Sequence, residues 1–167
     1  MAGLSQEHSS WRARADSWSV AECLDHLATA NRVYLSAMQP EAVRAREQGR
    51  KRRGPALPGF VGRWFVSTLE PPARLLFRTR APQSIRPRSS PPLDDAFASF
   101  VTSQSEVRAF LRWNADLDLA AVRFPNPFIR GVRFSLATGL HIITAHERRH
   151  LWQAWRVRQA AEGTEDP

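Results

Sequence analysis

An all-α protein is what this sequence predicts, and three observations carry the reading. Apolar residues recur at helical spacing in two long blocks, one from Val20 to Met38 and one from Leu136 to Val157. A serine able to cap a helix stands immediately before each block, Ser19 and Ser135. No region sustains the alternation of apolar and polar residues that a half-buried strand needs. The expected architecture is a four-helix bundle divided into blocks by proline.

The first long helix starts with a mechanism. In Trp18-Ser19-Val20-Ala21-Glu22, Ser19 can accept a backbone N–H and Glu22 can reach back to complete a capping box. From about residue 20 to the upper thirties or beyond, Val20, Leu24, Leu27, Asn31, Tyr34 and Met38 fall on one stripe. Residues 49 to 59 are basic and carry Gly54, Pro55, Pro58 and Gly59, so they read as a loop. A short aromatic helix comes next with Phe60, Val61, Trp64, Phe65 and Leu69, and Pro71-Pro72 stops it. Residues 79 to 92 are proline-rich and connect to a helix opening at Ser90-Pro91-Pro92, with Asp94 and Asp95 in its dipole-favoured first turn. Its expected core stripe is Leu93, Phe97, Phe100, Val107 and Leu111. Pro125-Asn126-Pro127 interrupts residues 114 to 134, and the last helix, about 135 to 161, carries Leu136, Leu140, Ile143, Ala154 and Val157 on one face.

Composition narrows the functional classes. With 167 residues and 43% hydrophobic content, the chain suits a single domain over 1–167, with residues 1–17 as an N-terminal lead and 162–167 as a flexible tail. No signal-peptide run opens it, and no window reaches the roughly 18 apolar residues of a membrane span. A soluble, cytoplasmic protein without a membrane partner is expected. The single cysteine, Cys23, excludes an internal disulfide framework and an all-cysteine zinc site. Metal chemistry would therefore rest on histidine and carboxylate. The net charge of +8 is carried almost wholly by arginine, Lys51 being the only lysine. Because that skew runs along the whole chain, the run at Arg44, Arg46, Arg50, Lys51, Arg52 and Arg53 reads as a solvated surface, and a nucleic-acid partner is not expected.

The histidines carry the chemistry. His146-Glu147-Arg148-Arg149-His150 spells H-E-x-x-H, with His146 and His150 one turn apart on the inward face and His141 pointing away. Two inward imidazoles at this spacing suit a metal or an ordinary core about equally. A zinc-protease reading fails on the residues after His150: the metzincin pattern needs glycine at 153 and histidine at 156, where Gln153 and Arg156 stand. Too little chain remains beyond His150 for the glutamate on a later helix that the other protease pattern requires. A third ligand is better sought upstream, where His26 shares a helix face with Cys23, Ala30, Val33 and Ala37.

These residues form a recognisable pattern. Trp18-Ser19-x-x-Glu22-x-x-x-His26-Leu27, together with His146-x-x-x-His150 and its neighbours Arg149, Leu151 and Gln153, resembles the DinB-like (DinB/YfiT-like) superfamily of metalloenzymes, over residues 16 to 157. The resemblance implies a four-helix bundle in which three histidines hold a divalent metal, commonly zinc or nickel, usually in a homodimer. Carried over residue by residue, the metal ligands are His26, His146 and His150. Relatives imply a thiol-dependent S-transferase using a low-molecular-weight thiol as co-substrate, or a hydrolase, acting on small electrophiles. Three neutral imidazoles would leave an open position on the metal. Glu147 could serve that position catalytically or be a solvated glutamate paired with an arginine. Gln153 could support His150 or be merely polar, and Cys23 is assigned to helix packing.

One departure stands out: only 17 residues precede Trp18, without an apolar stripe, so the family's usual first helix would be lacking. Residues 57 to 78, with Phe60, Trp64, Phe65 and Leu76, are expected to cover part of the face it leaves, and a dimer the rest. The alternatives are a non-catalytic, stress-associated bundle with a structural metal, and an arginine-mediated nucleic-acid binder.

Overall fold

A computed structural model of the chain describes residues 6–72 and 81–163. In chain order it contains α1 (Gln6–Ser10), α2 (Val20–Glu47), α3 (Phe60–Leu69), a single 3-10 turn (Gln83–Ile85), α4 (Leu93–Trp113), strands β1 (Arg123–Pro125) and β2 (Arg133–Ser135), and α5 (Leu136–Ala161). The all-α class and the bundle hold. Three long helices form it, with α2 against both α4 and α5, while α4 and α5 meet through side chains such as Gln104 and Glu147. The short α3 lies along α5, and α1 sits where α2, α4 and α5 come together. Before Trp18, the described part of the lead contains the helical residues Gln6–Ser10. No helix among the described residues is long and apolar enough to cross a membrane.

The capping box at the start of α2 is formed. The Glu22 N–H donates to Ser19 Oγ at 3.3 Å, and the Ser19 N–H donates to Glu22 Oε2 at 2.9 Å. Glu22 also accepts from Arg12 Nε at 2.9 Å, which ties the N-terminal lead to the helix. All six stripe residues, Val20, Leu24, Leu27, Asn31, Tyr34 and Met38, are buried. The helix then runs on through Pro40 to Glu47, farther than the stripe itself.

For α4 the expected stripe needs correction. Leu93 is buried and Phe100 and Val107 are half-buried, but Phe97 and Leu111 are 42% and 46% exposed. The buried positions are Leu93, Ala96, Ser103 and Phe110. The physical reason is the α2–α4 seam, where small side chains allow close approach and polar groups pair: Asn31 Nδ2 donates to Ser103 Oγ at 3.1 Å, and Arg32 donates to Glu106 and Ser99. Proline also stands just outside this helix rather than inside it, with Pro92 at the N-cap.

The connection from 114 to 134 contains a small antiparallel ladder that the lack of alternation did not predict. Phe124 pairs with Phe134, and both rings enter the core. Three residues per strand are too few for a period to register. The connection also completes the start of α5: Leu136 N–H donates to Val122 O, Ala137 N–H to Leu119 O, and Thr138 N–H to Ser135 Oγ at 3.1 Å. Farther along α5, Leu136, Ile143, Ala154 and Val157 are buried as expected, and Leu140 is half-buried. Gly139 lets α2 and the ladder come close, since a Cβ there would lie 2.5 Å from Met38 Sδ and 2.9 Å from the Phe124 ring.

The aromatic segment is helical as expected. Phe65, Val66 and Leu69 of α3 pack on the core, with the Phe65 ring tilted against that of Phe134 at a centroid distance of 5.0 Å. Phe60 and Trp64 are exposed instead, and Leu76 lies outside the described residues, as do positions 164–167 of the expected tail.

Candidate metal centre

Three histidines converge between two apolar clusters. Along α2, His26 follows Val20, Ala21, Cys23 and Leu24 of a smaller cluster and precedes Tyr34 and Met38 of a larger one. Along α5 the order is reversed, with Ile142 and Ile143 before His146 and His150, and Ala154 and Val157 after them. The two antiparallel helices thus bring all three imidazoles to one level. One ring nitrogen from each lies within 4.8 Å of the others. His26 is 1% exposed, His150 is buried and His146 half-buried. His141 is half-buried and takes no part in the group.

Hydrogen bonds on the far side of two rings set which nitrogen faces inward. His26 Nδ1–H donates to the Ile85 carbonyl at 2.6 Å, and His150 Nδ1–H donates to Gln153 Oε1 at 3.0 Å. Both acceptors are oxygens without a proton to give, so the Nε2 of each ring keeps its lone pair. His26 Nε2 lies 3.2 Å from His146 Nε2. Two lone pairs hold that separation only when a proton or a cation stands between them. Imidazole nitrogens sharing one ion at about 2.0–2.1 Å with a tetrahedral angle would be roughly 3.3–3.4 Å apart, so the His26–His146 pair has the spacing of two ligands on one ion, with a His150 nitrogen within 4.8 Å of both.

Electrostatics keep the rings neutral, as ligands must be. Burial, with the neighbouring His26 and Arg149 adding to it, pushes His146 down to about 3. Burial likewise holds His150 well below the ordinary histidine value, with His146 and His26 contributing, and burial lowers His26.

The remaining residues of the motif divide their tasks. Among the described residues Glu147 forms no close ion pair with an arginine: its Oε1 accepts from Asn31 Nδ2 at 2.8 Å and from Gln104 Nε2, which joins α5 to α2 and α4 beside the histidines. Arg148 pairs with Glu70, and Arg149 Nη1 donates to the Thr68 carbonyl at 3.3 Å. Both arginines fasten the end of α3 to α5, where a cation also suits the helix dipole. Gln153 accepts the hydrogen bond of His150. Cys23 is fully buried in the smaller cluster and outside the histidine group, and burial raises its thiol pKa, consistent with packing. Of the face shared with His26, Ala30 is buried, and Val33 and Ala37 are half-buried.

Two contributors escape sequence reasoning about function. Trp18 enters the motif only as a landmark, yet its ring lies 4.6 Å from that of His26 and 5.5 Å from that of His150. Trp64, by contrast, is 60% exposed on α3. The Ile85 carbonyl sits in a proline-rich loop, and a backbone oxygen leaves no signature in side-chain identity.

Against this geometry, a family model described as the DinB superfamily matches residues 1–154. Comparison with curated proteins and with solved structures returns no significant match.

Proposed function

The chain belongs to the DinB superfamily, and on that premise we propose that it is a divalent-metal-dependent enzyme, a thiol-dependent S-transferase or hydrolase acting on small electrophiles. The observation that carries the reading is the convergence of His26, His146 and His150, with the inward nitrogens of His26 and His150 freed by outward hydrogen bonds. A bound zinc or nickel ion would supply Lewis-acid chemistry and lower the pKa of a thiol or water.

The chain's own residues do the rest. Neutral imidazoles add no charge of their own, Ile85 O and Gln153 hold two rings in place, and Trp18 shields His26 and His150 from water. Glu147, half-buried and held by two amides, is the group to accept the proton of an incoming thiol or water. A homodimer belongs to the same reading, supported by exposed apolar residues such as Phe97, Val101 and Leu111 on α4.

Metal analysis tests the core of this. Protein purified without chelator or immobilised nickel should carry about one equivalent of divalent metal per chain. His26→Ala, His146→Ala and His150→Ala should each lower occupancy sharply, and His141→Ala should not. Low-molecular-weight thiols screened with generic electrophiles should turn over with the metal-loaded protein and not with His150→Ala. Full metal binding by the triple-alanine variant would end the reading.

A further inference from the structure

We propose that Asp25 is a positioning residue for the histidine centre: it clamps residues 85–88 to α2 so that the Ile85 carbonyl holds His26 in its ligating tautomer. The inference rests on the metal-centre reading above and concerns how the centre is prepared.

His26 can offer Nε2 inward only while its proton resides on Nδ1, and the Ile85 carbonyl at 2.6 Å is what keeps it there. That carbonyl belongs to a single 3-10 turn, closed by Ile85 N–H to Pro82 O at 3.1 Å and Arg86 N–H to Gln83 O at 3.3 Å. One such turn has little rigidity of its own. It is fastened at two points, and the first is the Ile85 side chain, 4% exposed. The second is Asp25, next to His26 on α2. Its Oδ2 accepts from the Arg88 main-chain N–H at 2.8 Å, and its Oδ1 accepts from Arg88 Nε at 2.8 Å with Nη2 at 2.7 Å.

The arrangement is a closed frame. Adjacent residues of α2 grip the same segment at positions 85 and 88, with only Arg86 and Pro87 between the grips, and Pro87 stiffens that span. A carboxylate only 5% exposed requires partners, and here Arg88 supplies two hydrogen bonds and an ion-pair contact. Loss of the carboxylate frees the segment, the Ile85 oxygen drifts, and the His26 proton can move to Nε2, where it closes the nitrogen to a cation.

Two readouts on the full-length protein test this. Nitrogen NMR of the imidazole rings in metal-free protein should show His26 protonated at Nδ1 in the unaltered chain and a mixture of tautomers in Asp25→Ala. Zinc affinity by chelator competition should fall by about 10–100-fold in Asp25→Ala. Asp25→Asn, which can still accept from the Arg88 N–H, should lose less and serves if the alanine variant does not fold. Arg88→Ala should also lose less, because the main-chain N–H remains. An unchanged tautomer and unchanged zinc affinity in a folded Asp25 variant overturn the proposal. If the unaltered protein fails to bind zinc, the metal reading falls, while the tautomer measurement still decides the role of Asp25.

Discussion

The two apolar clusters on either side of the histidine level are built differently. The larger is made of bulky side chains from α2, α4, α5 and the ladder, among them Met38, Phe110, Phe124, Phe134, Leu136 and Ile142. The smaller consists mostly of modest ones, Val20, Ala21, Cys23, Leu24, Leu93, Ala96, Ala154 and Val157. Stability should therefore concentrate in the first, while the second brings helix backbones close to hold three ring-bearing positions in place. Where side chains are small, geometry is set by backbone approach; where they are large, burial supplies the energy.

The largest expected effect comes from that contrast. Phe124, 0% exposed, should cost about 3–5 kcal/mol when changed to alanine, measured by urea unfolding. Val157→Ala, at the rim of the smaller cluster with 8% exposure, should cost roughly 1 kcal/mol or less. Equal losses would break the distinction between the clusters.

An intermediate effect concerns pH and the level between them. Buried, neutral histidines with lowered pKa values bind protons less readily folded than unfolded, so their contribution is intact above the unfolded value of 6.5. As pH falls below 6.5, stability should decline, and for His146 the decline should continue toward about 3. The slope per histidine that stays neutral is at most about 1.4 kcal/mol per pH unit. Metal-free protein denatured with urea at a series of pH values checks this; stability that is flat between neutrality and mild acid, with His146→Phe no different, contradicts it. The smallest effect is chemical: Cys23, buried and with a raised thiol pKa, should resist a thiol reagent in the native state and react only as the protein opens. Rapid native labelling would show that the smaller cluster is loose.

The same contrast explains what could be read in advance. Stripes of large residues, as in α2 and α5, and capping serines at 19 and 135 are local signals, and the structure obeys them. The inward face of His146 and His150 is legible from helical spacing, and His26 stands out as an upstream candidate from its helix face, but its place as third ligand comes from the family pattern. On α4 the rule failed because Ala96 and Ser103 are buried by pairing with α2 while the bulkier Phe97 is left outside. Hydrophobicity carries no record of such a seam. The supports of His26 were hidden for another reason: Ile85 acts through its carbonyl and Asp25 through a loop 63 residues away, so neither periodicity nor spacing reports them.

The bond from Asn31 to Glu147 and Ser103 has one more consequence. It lies at a single height in the bundle, where α2, α4 and α5 each contribute one partner. Sliding any helix by one turn, about 5.4 Å, would set these polar groups against aliphatic neighbours. Apolar surfaces tolerate such a shift far better than hydrogen-bonded ones do. The polar contact therefore works as an axial pin: it selects one vertical alignment of three helices from several that greasy faces alone would accept, and that alignment is the one that brings the imidazoles level.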